Sequence, residues 1–392
     1  GGFGDDGDEN IISCGSYTGN GSTDGPTVTL GFEPQWILIK GATSGAAYDW
    51  YLVDNMRGIT TGGNDPFLWP NKSDAEATLN NIISVTATGF KLEGTGYGFN
   101  GSGQTYIYIA IRRPMKTPTA GTEVFAIDTP SGTTAGEILT SGFVDDTIFQ
   151  KYRTLSSGFT SASRLTGKGV LTLSSTDAEN TSQDRYGFDV QDGVELIIGD
   201  GAYDMLYYHF KRATGFMDVV AYTGTGSLGN TLTHNLGVVP ELMIVKCRSN
   251  NPTNWTVYTA ATGNTSALYL NDSGSVFSGD INYWNNTSPT ATQFTVGLYG
   301  TVNASTYTYI AYLFATLDGV SKVGSYTGTG ADLNIDCGFT AGARFILIKR
   351  TDSTGDWYTY DSVRGISAGN DPYLLLNSTA AEVTGTDYID PL

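Results

Sequence analysis

The chain has 392 residues, 40% of them apolar and 12% aromatic, with 24 tyrosines, so it can bury real cores and is not an intrinsically disordered chain. A formal charge of -18 repels phosphate backbones and anionic lipid surfaces, which excludes direct nucleic-acid binding as a working hypothesis, and no run reaches the ~20 apolar residues of a membrane span. Glycine, at 51 residues, stands beside abundant Thr, Ser, Tyr and Val and few long helix formers, a composition of strands and turns.

The first residues include GDDGDEN, the densest acidic run. Asp5, Asp6, Asp8 and Glu9 are a calcium candidate by their oxygens, without the ligand order of an EF-hand, and the run is expected to be a solvated linker over residues 1–14. The chain opens without an initiator Met or a signal peptide, as a processed chain or a piece of a longer one does.

GFEPQWILIK, from Gly31, is the first of four similar stretches. The others are GFVDDTIFQK from Gly142, LGVVPELMIVK from Leu236 and GFTAGARFILIK from Gly338. Their glycines lie 111, 95 and 101 residues apart, the size of a domain, so the chain reads as tandem modules of about 100 residues. The boundaries are 15–115, 116–214, 215–317 and 318–392. In each stretch a short central strand is expected, buried for most of its length, with its lysine surfacing at the end. Pro34 cannot donate a ladder bond and belongs at the strand's start.

Other segments keep the same phase. A turn-rich strand precedes the stretch: GSYTGNG at Gly15, AYTGTG at Ala221, GSYTGTG at Gly324. An aromatic strand and Arg-Gly turn follow, DWYLVDNMRG from Asp49 and DWYTYDSVRG from Asp356, with a weaker NWTVYTAATG from Asn254. Then come LWPNKSDAE, LTLSSTDAE, LYLNDSGSV and LLLNSTAAE, from Leu68, Leu171, Leu268 and Leu374. Ser73 and Glu76 have the spacing of a capping box and could start one helical turn. GFKLEG from Gly89, GFDVQDG from Gly187 and QFTVGLYG from Gln293 make a further strand. Each module closes on an alternating aromatic strand, TYIYIAIRR from Thr105, YDMLYYHFKR from Tyr203 and TYTYIAYLFA from Thr306. Its alternation predicts an aliphatic core face and a tyrosine face turned to a neighbour or to solvent. Short strands with Gly, Asn, Asp and Pro turns indicate antiparallel β-sandwiches of jelly-roll type in tandem.

The second module is the outlier, with KYRTLSSGFTSASRLTG in place of the Asp-Trp-Tyr strand, and the fourth stops before any closing strand. Either the chain is cut there, or another chain supplies that strand by β-addition.

Chemistry-bearing groups are sparse. Cys14, Cys247 and Cys337 are odd in number and fall at non-equivalent positions, which argues against a disulfide framework or zinc site. His209 and His234 lie in no metal spacing and beside no nucleophile elbow. Asn-x-Ser/Thr triplets, as at Asn71, Asn254 and Asn377, follow from composition. Trp69, Tyr283 and Trp284 lie among polar turn residues and are the ligand-binding candidates, for sugars or partner chains. No catalytic residue, cofactor or metal site beyond the calcium candidate is expected, so the chain reads as a non-enzyme.

The combination GSYTGNGSTDGPTVTLGFEPQWILIK, DWYLVDNMRG, PNKSDAEAT and TYIYIAIRRPMKTPTAGTEVF resembles repeat-bearing structural proteins of tailed bacteriophages, marine and cyanophage-like, with modules that look like lectin-type jelly rolls. The resemblance implies a virion location on the tail or outer surface, and a fibre or tail appendage for host attachment. Its expected partners are other virion proteins, copies of itself or host-surface glycans. A capsid-decorating protein and a carbohydrate-binding or depolymerising virion enzyme are the alternatives. Since acidic surfaces repel, an oligomer of this chain is expected to use an apolar or tyrosine-lined interface, or bound cations.

Overall fold

The computed structural model of the chain describes residues 10–43, 48–96, 98–249 and 252–391. The calcium candidate of Asp5, Asp6, Asp8 and Glu9 lies outside them. The chain divides into two compact units, residues 1–115 with 164–167, and residues 116–163 with 168–392. Both are built of antiparallel sheets, so the fold is all-β and of sandwich type.

The first unit holds the first module. Its main sheet has the order Ile12–Thr18, Thr105–Arg112, Pro34–Gly41, Trp50–Asp54. The closing strand thus lies between the leading strand and the strand that carries Lys40. A second sheet, of Thr27–Thr29, Gly89–Leu92 and Ile83–Thr86, completes the sandwich, and Asn64–Phe67 pairs with Ala77–Asn80. Ile37, Ile39, Val53, Phe90 and Leu92 fill the core. Pro34 begins its strand, and the register shifts between Pro34 and Trp36.

Three expectations need correction here. The leading strand begins at Ile12, so the last residues of the expected linker 1–14 are already strand, held by pairing from Ile12 to Ile111. Residues 73–76 form no helical turn; the chain runs straight into Ala77–Asn80, whose ladder bonds to Asn64–Phe67 outweigh a single costly turn of helix. The closing strand also faces the opposite way. Tyr106, Tyr108 and Ala110 are the buried face, and the isoleucines point outward. Tyr106 stacks on Tyr17 at 5.1 Å, and both hydroxyls reach loop backbone: Tyr17 donates to Phe99 O (2.7 Å) and Tyr106 accepts from Gly101 N (2.8 Å). A buried tyrosine is stable where its hydroxyl is satisfied in this way.

The second unit holds two copies of the same sheet and part of a third. In the second module the order is Phe125–Asp128, Met205–Phe210, Thr147–Tyr152, Thr160–Ser163, Leu171–Thr172. The third has Met217–Thr223, Thr308–Phe314, Leu242–Cys247, Thr256–Thr259, Ser266–Tyr269 and Phe277–Ser278. It repeats the tyrosine stack as Tyr222 on Tyr309, also at 5.1 Å. The second module keeps this topology despite its divergent sequence.

One alignment of its segments moves. Val194–Leu196, opened by Gly193, occupies the place of Gly89–Leu92, and GFDVQDG supplies only its short neighbour Tyr186–Gly187. Sterics identify the true equivalent: a Cβ on Gly193 would lie 1.8 Å from Leu139 O, as one on Gly89 would lie 1.9 Å from Val28 O.

The fourth module contributes Phe345–Lys349, Trp357–Asp361 and Leu374–Leu375. Its GSYTGTG segment is exposed and forms no strand. In the first and third modules this segment pairs only with the closing strand, so without that partner it has no ladder to join.

Candidate functional site

The four lysines of the repeated stretch lead to the most elaborate polar arrangement of the second unit. Lys151 and Lys246 do not surface; they are fully buried. Burial holds each ammonium down to about 8, and lowers Lys349 as well. A buried ammonium needs acceptors: Lys151 Nζ donates to Ser157 O in its own loop, whereas Lys246 and Lys349 each reach carbonyls of two modules at once.

Lys246 Nζ donates to Thr253 O (2.6 Å) and Thr253 Oγ1 (3.1 Å) in its own hairpin loop, and to Thr176 O (3.0 Å) of the second module. Trp255, at the start of the next strand, donates its indole N–H to Thr172 O (3.1 Å), four residues before Thr176. Arg248, two residues after the lysine, forks onto Glu179 with a closest approach of 2.7 Å, and Glu179 N returns a bond to Arg248 O (2.8 Å). Asn271 Oδ1 accepts from Trp255 N (2.8 Å) and steadies the tryptophan.

The next joint repeats this plan one module on. Lys349 Nζ donates to Gly355 O (2.6 Å) and Ser273 O (3.1 Å), and Trp357 Nε1 donates to Tyr269 O (2.9 Å). Asn377 Oδ1 accepts from Trp357 N (2.9 Å). Thr351 and Val276 stand where Arg248 and Glu179 stood, and the backbone bond survives as Val276 N to Thr351 O (2.8 Å).

A third joint runs from the fourth module back to the second. Arg153, two residues after Lys151, pairs with Glu382 at 2.8 Å, and Glu382 N donates to Arg153 O (2.7 Å). Tyr208 OH donates to Asp361 Oδ2 (2.8 Å), and Arg364 donates to both Tyr208 OH (3.2 Å) and Glu382. Phe159 replaces the tryptophan, so this joint has no indole bond.

All three joints run in one direction: the lysine edge of one module docks on the edge of another that begins at Leu171, Leu268 or Leu374. A heterologous contact that closes after three steps makes a ring with approximate threefold symmetry. The outward faces of the closing strands fill its middle. Leu206, Tyr208, Ile310 and Tyr312 are buried there, with Phe149 edge-on to Tyr312 at 5.7 Å and Phe345 edge-on to Tyr208 at 5.0 Å. What this arrangement does chemically is recognise a sister module.

The residues singled out in the sequence fall elsewhere. Tyr283 and Trp284 are buried in the third module's core and offer no ring face to a ligand. Trp284 donates to Ser266 O (2.9 Å), and Tyr283 OH meets Tyr269 OH at 2.8 Å. Polar neighbours misled here because both rings bury their polar atoms against partners. Trp69 is half-buried against the first module's core, edge-on to Phe67, with Lys72 Nζ 5.1 Å above its ring. Asn71 and Asn377, prominent as sequons, instead hold the backbone of Trp50 and Trp357.

His209 is buried between Asp145 (Nδ1 to Oδ2, 2.6 Å) and Asp128 (Nε2 to Oδ2, 3.3 Å). Burial pushes its pKa down, but the two carboxylates outweigh this and hold it at about 9. Burial lowers His234 to about 4, with Thr290 O accepting at 3.1 Å. Among the described residues, no three His, Cys, Asp or Glu side chains are grouped to hold a metal ion, and no helix is long and apolar enough to cross a membrane.

A family described as a domain of unknown function, DUF7483, matches residues 12–114 and 210–392. The unmatched stretch between them holds nearly all of the divergent second module. No curated protein and no solved structure matches the chain.

Proposed function

Since the chain belongs to the DUF7483 family, to which no activity is attached, we propose from its architecture that it is a structural and adhesion component of a phage virion. It acts as a tandem β-sandwich fibre or tail appendage on the tail or outer surface, presenting module surfaces for host attachment. It works without catalysis, and its partners are other virion proteins, copies of itself or host-surface glycans.

The observation that carries this reading is the closed ring of three modules. Its buried lysines and tryptophans are committed to holding modules together, as a part that bears load or spaces a surface requires. The likeness of the first module's segments to phage structural proteins supports the virion setting.

Immunogold electron microscopy of particles, with antibody against this chain, tests the proposal. Label on tails or their appendages supports it. Label over the shell replaces it with capsid decoration, and particles without label overturn it.

A further inference from the structure

The first module carries both halves of the joint. Lys40 Nζ sits 6.0 Å over the Trp50 ring, the same separation as Lys246 over Trp255 and Lys349 over Trp357. Lys40 bonds its own loop at Tyr48 O, and Asn71 accepts from Trp50 N (2.9 Å) as in the other modules. The receiving edge is present too. Trp69, Ser73 and Glu76 have the spacing of Thr172, Thr176 and Glu179. Arg57 binds Asp54 (2.6 Å) and Glu76 (3.4 Å) as Arg364 binds Asp361 and Glu382.

The difference is exposure. Side-chain exposure is 44% for Glu76 and 7% for Glu382. On the outward sheet face, Ile12, Ile107 and Ile109 are 44%, 42% and 38% exposed. The register places Met217, Ile310 and Tyr312 at these positions in the third module, all buried at the centre of the ring. Cys14, Ile111, Trp36 and Leu38 continue the first module's face, which carries no charge except at its rim.

We propose that this face is a threefold interface between copies of the chain. Three first modules form the ring that the other modules form within one chain, with Lys40 and Trp50 of each copy reaching the carbonyls of Trp69 and Ser73 of the partner subunit. Donors lie on one edge and acceptors on the other, so identical modules satisfy each other and the ring closes at three. Three copies also fit the central residues. Tyr208 needs the acceptor Asp361, whereas isoleucines meeting at a symmetry axis need only one another. An uncharged face lets chains of -18 approach. The inference rests on the joint and not on the virion reading.

Native mass spectrometry and light scattering of the whole chain test it. The expected mass is three times 41.7 kDa at micromolar concentration. Ile107→Glu with Ile109→Glu, both at exposed positions, yields a monomer with an unchanged circular dichroism spectrum. In a Cys14→Ala background, Ala42→Cys with Glu76→Cys gives a disulfide ladder that ends at three chains, and neither single cysteine does. A monomeric or dimeric wild-type chain overturns the proposal. So does a trimer indifferent to the isoleucine substitutions, or a ladder that passes three.

Discussion

Lys246 and Trp255 reach across one joint as a pair: Nζ donates to Thr176 O and the indole N–H to Thr172 O, with the ammonium 6.0 Å above the ring. The lysine is oriented by its own loop and the tryptophan by Asn271, so both donors are fixed before docking. Little side-chain entropy remains to be lost on contact.

Trp255→Phe keeps most of the packed ring and removes only the N–H. Thr172 O then loses a buried partner, which costs about 1–3 kcal/mol. Trp255→Ala adds a cavity and costs about 3–5 kcal/mol. Urea unfolding of the chain measures both, and a Phe variant as stable as the wild type contradicts the indole bond.

The closing strand of the first module supplies a second test. Tyr106→Ala empties a core position beside Tyr17 and costs about 3–5 kcal/mol. Ile109 is 38% exposed within one chain, so Ile109→Ala, compared with Tyr106→Ala in an Ile107→Glu background that weakens association, costs under about 1.5 kcal/mol. Denaturant midpoints rank the two; the reverse ranking restores the aliphatic core face read from the sequence.

That reversal shows where sequence reading stops. In TYIYIAIRR both faces are apolar enough to be buried, so period-two alternation locates a strand without saying which side is inside. The module period, the glycine phase markers, the antiparallel sandwich and the missing fourth closing strand are all visible as local patterns. Gly193 was hidden because a Gly-Phe pair at Gly187 imitates the motif, while the real constraint is a close approach to Leu139 O. The lysines are a similar case. A lysine ending a strand normally surfaces, whereas Lys246 is satisfied in the interior by its own loop and by a carbonyl of another module. No local pattern announces that partner, although the recurring spacing of Lys, Trp and Leu-x-x-Asn in every module but the second was a usable signal.

The two histidines titrate in opposite directions. His209, held at about 9 by Asp145 and Asp128, is charged at neutral pH. Its folded pKa lies above the unfolded value of about 6.5, so its stabilisation is complete below that pH and is lost as pH rises towards 9. His234, lowered to about 4, works the other way: its contribution is present above about 6.5 and is lost as pH falls through 4. NMR titration of labelled imidazoles reads both directly. A His209 resonance titrating near 6.5 contradicts the double carboxylate contact.

Arg248 and Glu179 are both buried, with their nearest atoms 2.7 Å apart, while the next joint has Thr351 and Val276 at the same two places. One joint has therefore lost the pair without losing the docking. Removing one partner strands a buried charge, so Arg248→Thr or Glu179→Val alone costs about 3–5 kcal/mol. Replacing both reproduces the neutral solution of the neighbouring joint and costs far less than the sum. The backbone bond from Glu179 N to Arg248 O survives every variant, so the cycle isolates the ion pair. Unfolding free energies of the two single variants and the double variant give the coupling, expected to exceed about 2 kcal/mol. Additive losses mean instead that the two side chains act separately, through packing, and that the salt bridge contributes nothing to how the second and third modules hold together.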